Sequence, residues 1–318
     1  MTAPVGAPDR QRSGTTAIAS CACQTGAVLL LVLLSACGNR QVVERNLGPS
    51  SVASAGTELK KAPETTPEEY IARGDAAFAR NDYEKAIVEY VNSLVGRPAD
   101  LDVLTKIATA HLRAGSYEVA GSTFKQVLET RPNSAAALEG MGLVLMSQQR
   151  YPDATARLDE ALAIEPNRWR ALNGLGIMAD VQGEIERAKP FYIRGLESNP
   201  TSSELLNNLG YSYYLGGDLV NAELFIRRAI GSDRKNEKAW SNLGLLQARQ
   251  KLYREALDSF SQVLDKPKSL NSVGYVCMVS GDYLCAEQYF SQAIAASPQW
   301  YKEAADNLDK VRAALRSQ

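Results

Sequence analysis

Histidine is nearly missing from this chain: His111 is the one copy in 318 residues. Imidazole is the commonest acid–base group and metal ligand near neutral pH, so most catalytic schemes lose their usual agent. An excess of charge is missing too, with 35 Lys and Arg against 36 Asp and Glu for a net charge of -1. A nucleic-acid binder needs a basic face to neutralise phosphates, and a charged disordered tail needs a surplus of one sign, so neither class fits. Five cysteines are present, but no CxxC pair or Cys/His cluster has zinc spacing. There is no phosphate-binding glycine loop and no serine-nucleophile motif. The sequence therefore predicts a protein that is not an enzyme and carries no cofactor, metal or nucleic acid.

Long hydrophobic runs are also lacking. The run Ala27-Val28-Leu29-Leu30-Leu31-Val32-Leu33-Leu34 falls far short of the roughly 20 residues that cross a bilayer as a helix. Arg10 and Arg12 precede it, and small residues close it, the pattern of a secretory signal peptide. Its end, Leu34-Ser35-Ala36-Cys37, resembles a bacterial lipobox. The resemblance implies a signal peptide over residues 1–36, cleavage before Cys37, and lipidation of Cys37 as a diacylglyceryl thioether with an acylated N-terminus. Several acyl chains anchor stably where one does not. Gly38 rather than Asp follows the cysteine, which by resemblance to Gram-negative lipoproteins implies sorting to the outer membrane, facing the periplasm. The plainer alternative is an ordinary signal peptide with an incidental cysteine. Residues 37–66, with Gly48-Pro49-Ser50-Ser51 and Pro63, show no sustained helical period. They predict a flexible tether spanning roughly 30 Å as a coil.

What the remainder has is a period. Ala86, Ala120, Ala154, Ala188, Ala222 and Ala256 recur every 34 residues, and Ala286 follows after 30. Twelve residues before each alanine stands Gly74, Ala108, Gly142, Gly176, Gly210, Gly244 or Gly274. Twelve after stands proline in five cases: Pro98, Pro132, Pro166, Pro200 and Pro298. Small residues on both helices of a hairpin allow close approach, and the proline stops the second helix. Gly115, Gly183, Gly217 and Gly281, with Asn81 in the first unit, fall at the turn between helices, where a left-handed residue is needed. The pattern resembles the tetratricopeptide (TPR) repeat over residues 67–300. That resemblance implies an all-α solenoid, a right-handed superhelix of seven repeats: 67–100, 101–134, 135–168, 169–202, 203–236, 237–266 and 267–300. Each hairpin leaves an apolar flank that only a neighbour can cover. Residues 301–318 supply the last cover, with Tyr301, Ala304, Ala305, Leu308, Val311 and Leu315 as the apolar stripe of a capping helix. The sixth repeat is four residues short, and Asp265-Lys266-Pro267-Lys268 are expected to replace its usual closing turn.

In TPR proteins the first helix of each hairpin lines a concave face, at positions 2, 5, 6, 9, 12 and 13 by resemblance. In repeats four to seven those positions place Asn173, Asn207, Asn208, Tyr211, Tyr214, Asn242, Arg249, Asn271 and Tyr275 there, with Ile177, Lys238, Lys268 and Met278. Amides donate and accept at once, so a row of them can pair with an extended peptide backbone. Tyrosines add contact area with a polar tip. This row is the predicted partner-binding groove, although Asn before Leu-Gly is common in such repeats whatever they bind. Repeats one to three mix Glu68, Asp75 and Glu139 with Leu143 and Met146. The two-carboxylate clamp of chaperone-binding TPR proteins is not matched. His111, at an interface position, is expected to pack rather than react. Cys277 and Cys285 straddle a hairpin turn and are either buried free thiols or a disulfide. Glu84, Glu118, Asp159, Glu160 and Glu186 read as a solvated face.

The stretch Leu270-Asn271-Ser272-Val273-Gly274-Tyr275, followed by Ser280-Gly281-Asp282-Tyr283 and Ala286-Glu287-Gln288-Tyr289-Phe290, resembles TadD-type lipoproteins of tight-adherence (Flp-type) pilus assembly. The resemblance implies an adaptor with a secretin or another pilus or secretion component as partner. The alternatives are another envelope adaptor (a type IV pilus pilotin, a barrel-assembly lipoprotein or a scaffold for peptidoglycan enzymes) or a soluble TPR scaffold whose signal is spurious.

Overall fold

The structure is a computed structural model that describes residues 65–95, 97–299 and 301–317. The signal, Cys37 and most of the tether lie outside them. Among the described residues every regular element is an α-helix, fifteen in all, and none is long and apolar enough to cross a membrane. They run α1 (Pro67–Ala79), α2 (Tyr83–Ser93), α3 (Leu101–Arg113), α4 (Tyr117–Thr130), α5 (Ala135–Ser147), α6 (Tyr151–Ile164), α7 (Trp169–Val181), α8 (Ile185–Ser198), α9 (Ser203–Leu215), α10 (Leu219–Ser232), α11 (Glu237–Arg249), α12 (Tyr253–Phe260), α13 (Lys266–Val279), α14 (Tyr283–Ala296) and α15 (Lys302–Arg316). Each odd-numbered helix up to α13 forms a hairpin with its successor, and α15 closes the stack against α14.

Local chemistry sets the helix ends. Thr66 and Glu69 form a reciprocal capping box at α1. Asp82, Asp100, Ser134, Ser202, Asp218, Asn236, Asp265 and Asp282 each cap the next helix by accepting from a backbone N–H of its first turn. Helices α2, α4, α6, α8 and α14 all stop shortly before the periodic proline. In repeat five Arg234 replaces it, yet α10 still ends at Ser232. There the Arg234 carbonyl accepts from Trp240 Nε1 at 2.9 Å, which fixes the turn by other means. The turn residues Asn81, Gly115, Gly183, Gly217 and Gly281 have positive φ as expected. Gln149 and Lys251, which the period did not single out, do the same work at φ 61° and 63°.

Packing follows the repeat. The seven periodic alanines are all fully buried. A large side chain four residues after the alanine lies over the glycine of its own hairpin: Tyr90 on Gly74, Leu158 on Gly142, Tyr192 on Gly176, Ile226 on Gly210, Phe260 on Gly244 and Phe290 on Gly274. A Cβ added at any of those glycines would come within 2.5 to 2.9 Å of that side chain. The small residue is thus a socket, not merely a spacer. The core is a string of clusters along the seams between neighbouring hairpins, as expected of a quasi-one-dimensional array. On α15, Ala304, Ala305, Leu308 and Val311 are buried, and Tyr301 and Leu315 pack partly against the last hairpin.

The short sixth repeat corrects the sequence reading. The loss falls on the second helix: α12 has 8 residues where α10 has 14. Lys266, Pro267 and Lys268 are not a turn; they form the first turn of α13, capped by Asp265. Proline in a first turn lacks only an N–H that has no intrahelical partner there, so Pro267 starts a helix rather than breaking one.

Candidate partner-binding groove

Helices α1, α3, α5 and α7 bound most of a groove of about 650 Å³, to which α9 adds Glu204 and α11 adds Lys238. Leu112, Leu143 and Met146 form its apolar floor, Phe78, Tyr90 and Tyr117 add aromatic surface, and charged residues form its walls. Two ion pairs organise those walls. Lys106 pairs with Asp75, which also accepts from the Tyr90 hydroxyl at 2.7 Å; burial and that carboxylate push the Tyr90 pKa up. Glu139 is buried, accepts from Arg168 Nε and Nη2 at 3.1 Å each, and accepts from the Ala171 backbone N–H at 3.2 Å. Glu139 therefore ties α5 to the start of α7 and satisfies one of the unbonded donors of that helix N-terminus.

Of the residues expected to line the concave face in repeats four to seven, Asn173 lines this groove and Asn207, Asn208, Tyr211 and Asn242 line a second depression, but their amides bond to one another. Asn242 Nδ2 donates to Asn207 Oδ1 at 2.9 Å, Asn207 Nδ2 to Asn208 Oδ1 at 3.2 Å, and Asn208 Nδ2 to Asn173 Oδ1 at 2.9 Å. Asn173 Nδ2 then donates to Glu204 Oε1 at 2.9 Å. This amide chain crosses α7, α9 and α11. Asn173, Asn207 and Asn271 are buried; Asn271 donates to Glu303 of α15 at 3.2 Å, so the same device holds the cap. A row expected to offer its amides to a peptide spends much of its capacity on the seams between repeats. The reason is geometric: position 6 of one repeat stands beside position 5 of the repeat before it, so Asn242 reaches Asn207 and Asn208 reaches Asn173.

Asn208, Tyr211 and Asn242 remain half-buried around a shallow depression of about 380 Å³ with Glu237, Lys238 and Ser241. Tyr211 stacks on Tyr214 with centroids 5.8 Å apart, and Arg249 sits 5.0 Å over Tyr214 while donating to its carbonyl at 3.0 Å. Burial pushes the Tyr211 pKa up. Tyr275 is exposed on α13 and joins none of these contacts. Cys277 and Cys285 are joined in the structure, with Cα atoms 5.7 Å apart, inside the normal range for a disulfide. His111 is half-buried, its Nδ1 has no hydrogen-bond partner, and burial lowers its pKa. Glu160 and Glu186 pair only with Arg157 and Lys189 of their own helices.

The groove residues that sequence reasoning passed over are Arg113, Arg168 and Arg170. Arg113 and Arg170 occupy positions 13 and 2 of their repeats, among the concave positions used to nominate Arg249 and Lys238, so the same register could have found them. Arg168 lies just before α7 and carries no such signal.

A family model described as Tetratricopeptide repeat matches residues 111–180, and a second with that description matches residues 179–237. No curated protein sequence matches the chain. Among solved structures, PilF of Pseudomonas aeruginosa is 21% identical with a TM-score of 0.53, covering 68% of this chain and 99% of that one. PilW, described as a widely conserved type IV pilus biogenesis factor, is 17% identical with a TM-score of 0.55, covering 67% and 98%. A tetratricopeptide repeat protein from Parabacteroides merdae is 15% identical with a TM-score of 0.50, covering 77% and 98%. The hairpin period, the all-helical stack and these matches agree: the chain carries tetratricopeptide repeats, matched by family models over residues 111–237, and shares the TPR solenoid fold.

Proposed function

We propose that this protein is a lipid-anchored envelope adaptor, without catalytic activity, that holds a segment of a partner protein in its concave groove while a pilus or secretion machine is assembled. The observation that carries the reading is the order of parts: Leu34-Ser35-Ala36-Cys37 stands at the end of a signal-like segment, a short tether follows, and a TPR solenoid fills the rest. Acyl chains on Cys37 hold the array at the periplasmic face of the outer membrane. The partner is a secretin or another pilus component, and the machine is of the tight-adherence (Flp) type. Marks in the last repeat, Leu270 to Tyr275 and Ala286 to Phe290, support that choice. A second reading, service to type IV pili, draws on the shape shared with PilW.

Metabolic labelling with a palmitate analogue tests the anchor. Label that is lost in Cys37→Ser supports it, and absent label, or label that survives the substitution, overturns it. Crosslinking in intact cells followed by identification of the captured envelope proteins tests the role. Recovery of a tight-adherence secretin supports the first reading, recovery of type IV pilus components supports the second, and recovery of neither overturns both.

A further inference from the structure

The charges of the main groove do not balance. Its acids are already engaged: Asp75 by Lys106 and Tyr90, Glu139 by Arg168 and a backbone N–H, and Glu204 by Asn173. Arg113, Arg170 and Lys238 also line it, and among the described residues none of the three has a carboxylate within 4.0 Å. Arg113 donates only to the Tyr83 hydroxyl, at 3.3 Å. The Arg170 guanidinium lies 4.5 Å over the Trp169 ring, and its Nε is buried with no acceptor. Stacking fixes the plane of a guanidinium and leaves its N–H edge for a planar anion. Burial, the largest influence, presses the Arg170 pKa down; Glu139 and Glu204 pull it up, and Arg113 and Arg168 push it further down. An unpaired cation in a partly buried site is a standing cost that an anionic occupant would offset. Beside these cations lie Leu112, Leu143 and Met146, so the groove offers apolar floor and positive wall together.

The geometry points to an acidic peptide segment, with carboxylates interspersed among aliphatic side chains, as the occupant of the groove between repeats two and four. Arg170 and Arg113 take its carboxylates, Lys238 guides its approach, and Leu143 and Met146 receive its aliphatic residues. The inference rests on the adaptor reading above and names the chemistry of the partner segment. It also shifts the recognition surface from the amide row of repeats four to seven toward the first half of the array.

The test is fluorescence anisotropy with full-length protein in detergent and a labelled short peptide of alternating Glu and Leu. Counterparts with Gln or Lys in place of Glu serve as comparisons. The Glu peptide is expected to bind at least about tenfold tighter than the Gln peptide, and its affinity to fall with added salt. The Arg113→Gln/Arg170→Gln double variant should lose about tenfold or more in affinity. Lys238→Glu, at an exposed site where folding is not at stake, should slow association, while Lys310→Gln on α15 should change nothing. Equal affinity for the Glu and Gln peptides overturns the inference, as does full binding by both the double variant and Lys238→Glu, or inorganic phosphate binding as tightly as the peptide. These outcomes are independent of the anchor. Crosslinking that recovers pilus components equally well with the double variant leaves the adaptor reading standing and removes this one; absence of palmitate label from the unsubstituted protein, with peptide binding intact, does the reverse.

Discussion

Position 5 of the repeat meets two solutions in the two halves of the array. In repeat three it carries Glu139, buried and held by Arg168; in repeats four, five and seven it carries Asn173, Asn207 and Asn271, which are buried and joined to other amides or to a glutamate. The position lies in the seam between hairpins, where a polar side chain must find partners because water is excluded. A carboxylate there calls for a guanidinium, and the guanidinium brings net positive neighbours into the groove. An amide is neutral and is satisfied by another amide or by a carboxylate, as with Asn173 on Glu204 and Asn271 on Glu303, so the second half seals its seam without a guanidinium. The contrast teaches that groove electrostatics in this fold follow from how each seam is locked, rather than being chosen independently of stability.

Breaking the two locks should give the largest effects and unequal ones. Glu139→Ala leaves Arg168 with Glu165 as its remaining carboxylate and strands the Ala171 N–H. Removal of one partner from a buried ion pair costs about 3–5 kcal/mol, and the retained Glu165 contact puts this loss at the low end, about 3 kcal/mol. Asn207→Ala leaves Asn242 Nδ2 and Asn208 Oδ1 short of one partner each, a cost of about 1–3 kcal/mol. Urea unfolding followed by circular dichroism reads both. Equal losses would show that the charged and amide seams are energetically alike and would dissolve the comparison.

How much of this was legible beforehand divides along physical lines. The fold was, because the alanine–glycine–proline period records packing that every hairpin must satisfy. The stripe of α15 was legible for the same reason, since a cap must present one apolar face. The amide chain was not, because an asparagine at a concave position looks the same whether its partner is a ligand or the next repeat. Partners 35 residues away, such as Asn208 and Asn173, emerge only when the superhelix brings adjacent repeats into register. The left-handed Gln149 and Lys251 were missed because the turn search relied on glycine and asparagine. The shortened α12 was misplaced because a four-residue deletion does not say which side of a turn it came from.

The cysteine bridge separates the halves by a smaller effect. Cys277 and Cys285 enclose a short loop with a sequence separation of 8 residues, so by the chain-entropy argument the bridge contributes about 2.5 kcal/mol. Intact mass with and without reductive alkylation should show one bridge. Reduction should then increase amide exchange in α13, α14 and α15 while leaving α1 to α6 unchanged. Exchange that rises equally everywhere would mean the effect is global and carries no information about the halves.

The smallest expected effect is the sharpest probe of the comparison. Gln149 closes the turn of repeat three and Lys251 that of repeat six, both in the left-handed region at nearly the same φ. A side chain there is strained by about 1 kcal/mol relative to glycine, so Gln149→Gly and Lys251→Gly each remove the same local cost, one in each half. In a nearest-neighbour array the gain spreads only as far as the interfaces between hairpins stay coupled. Strong coupling throughout would raise a single melting transition equally for both variants. Helix α12 has 8 residues against 14 in α10, so any loss of coupling along the array is expected between repeats six and seven. Lys251→Gly should therefore protect amides of α11 and α12 without extending to α13 and α14, whereas Gln149→Gly should protect the helices on both sides, α3 to α8. Hydrogen exchange resolves the two patterns, and a Lys251→Gly footprint as wide as that of Gln149→Gly would show that the short sixth repeat does not interrupt the array.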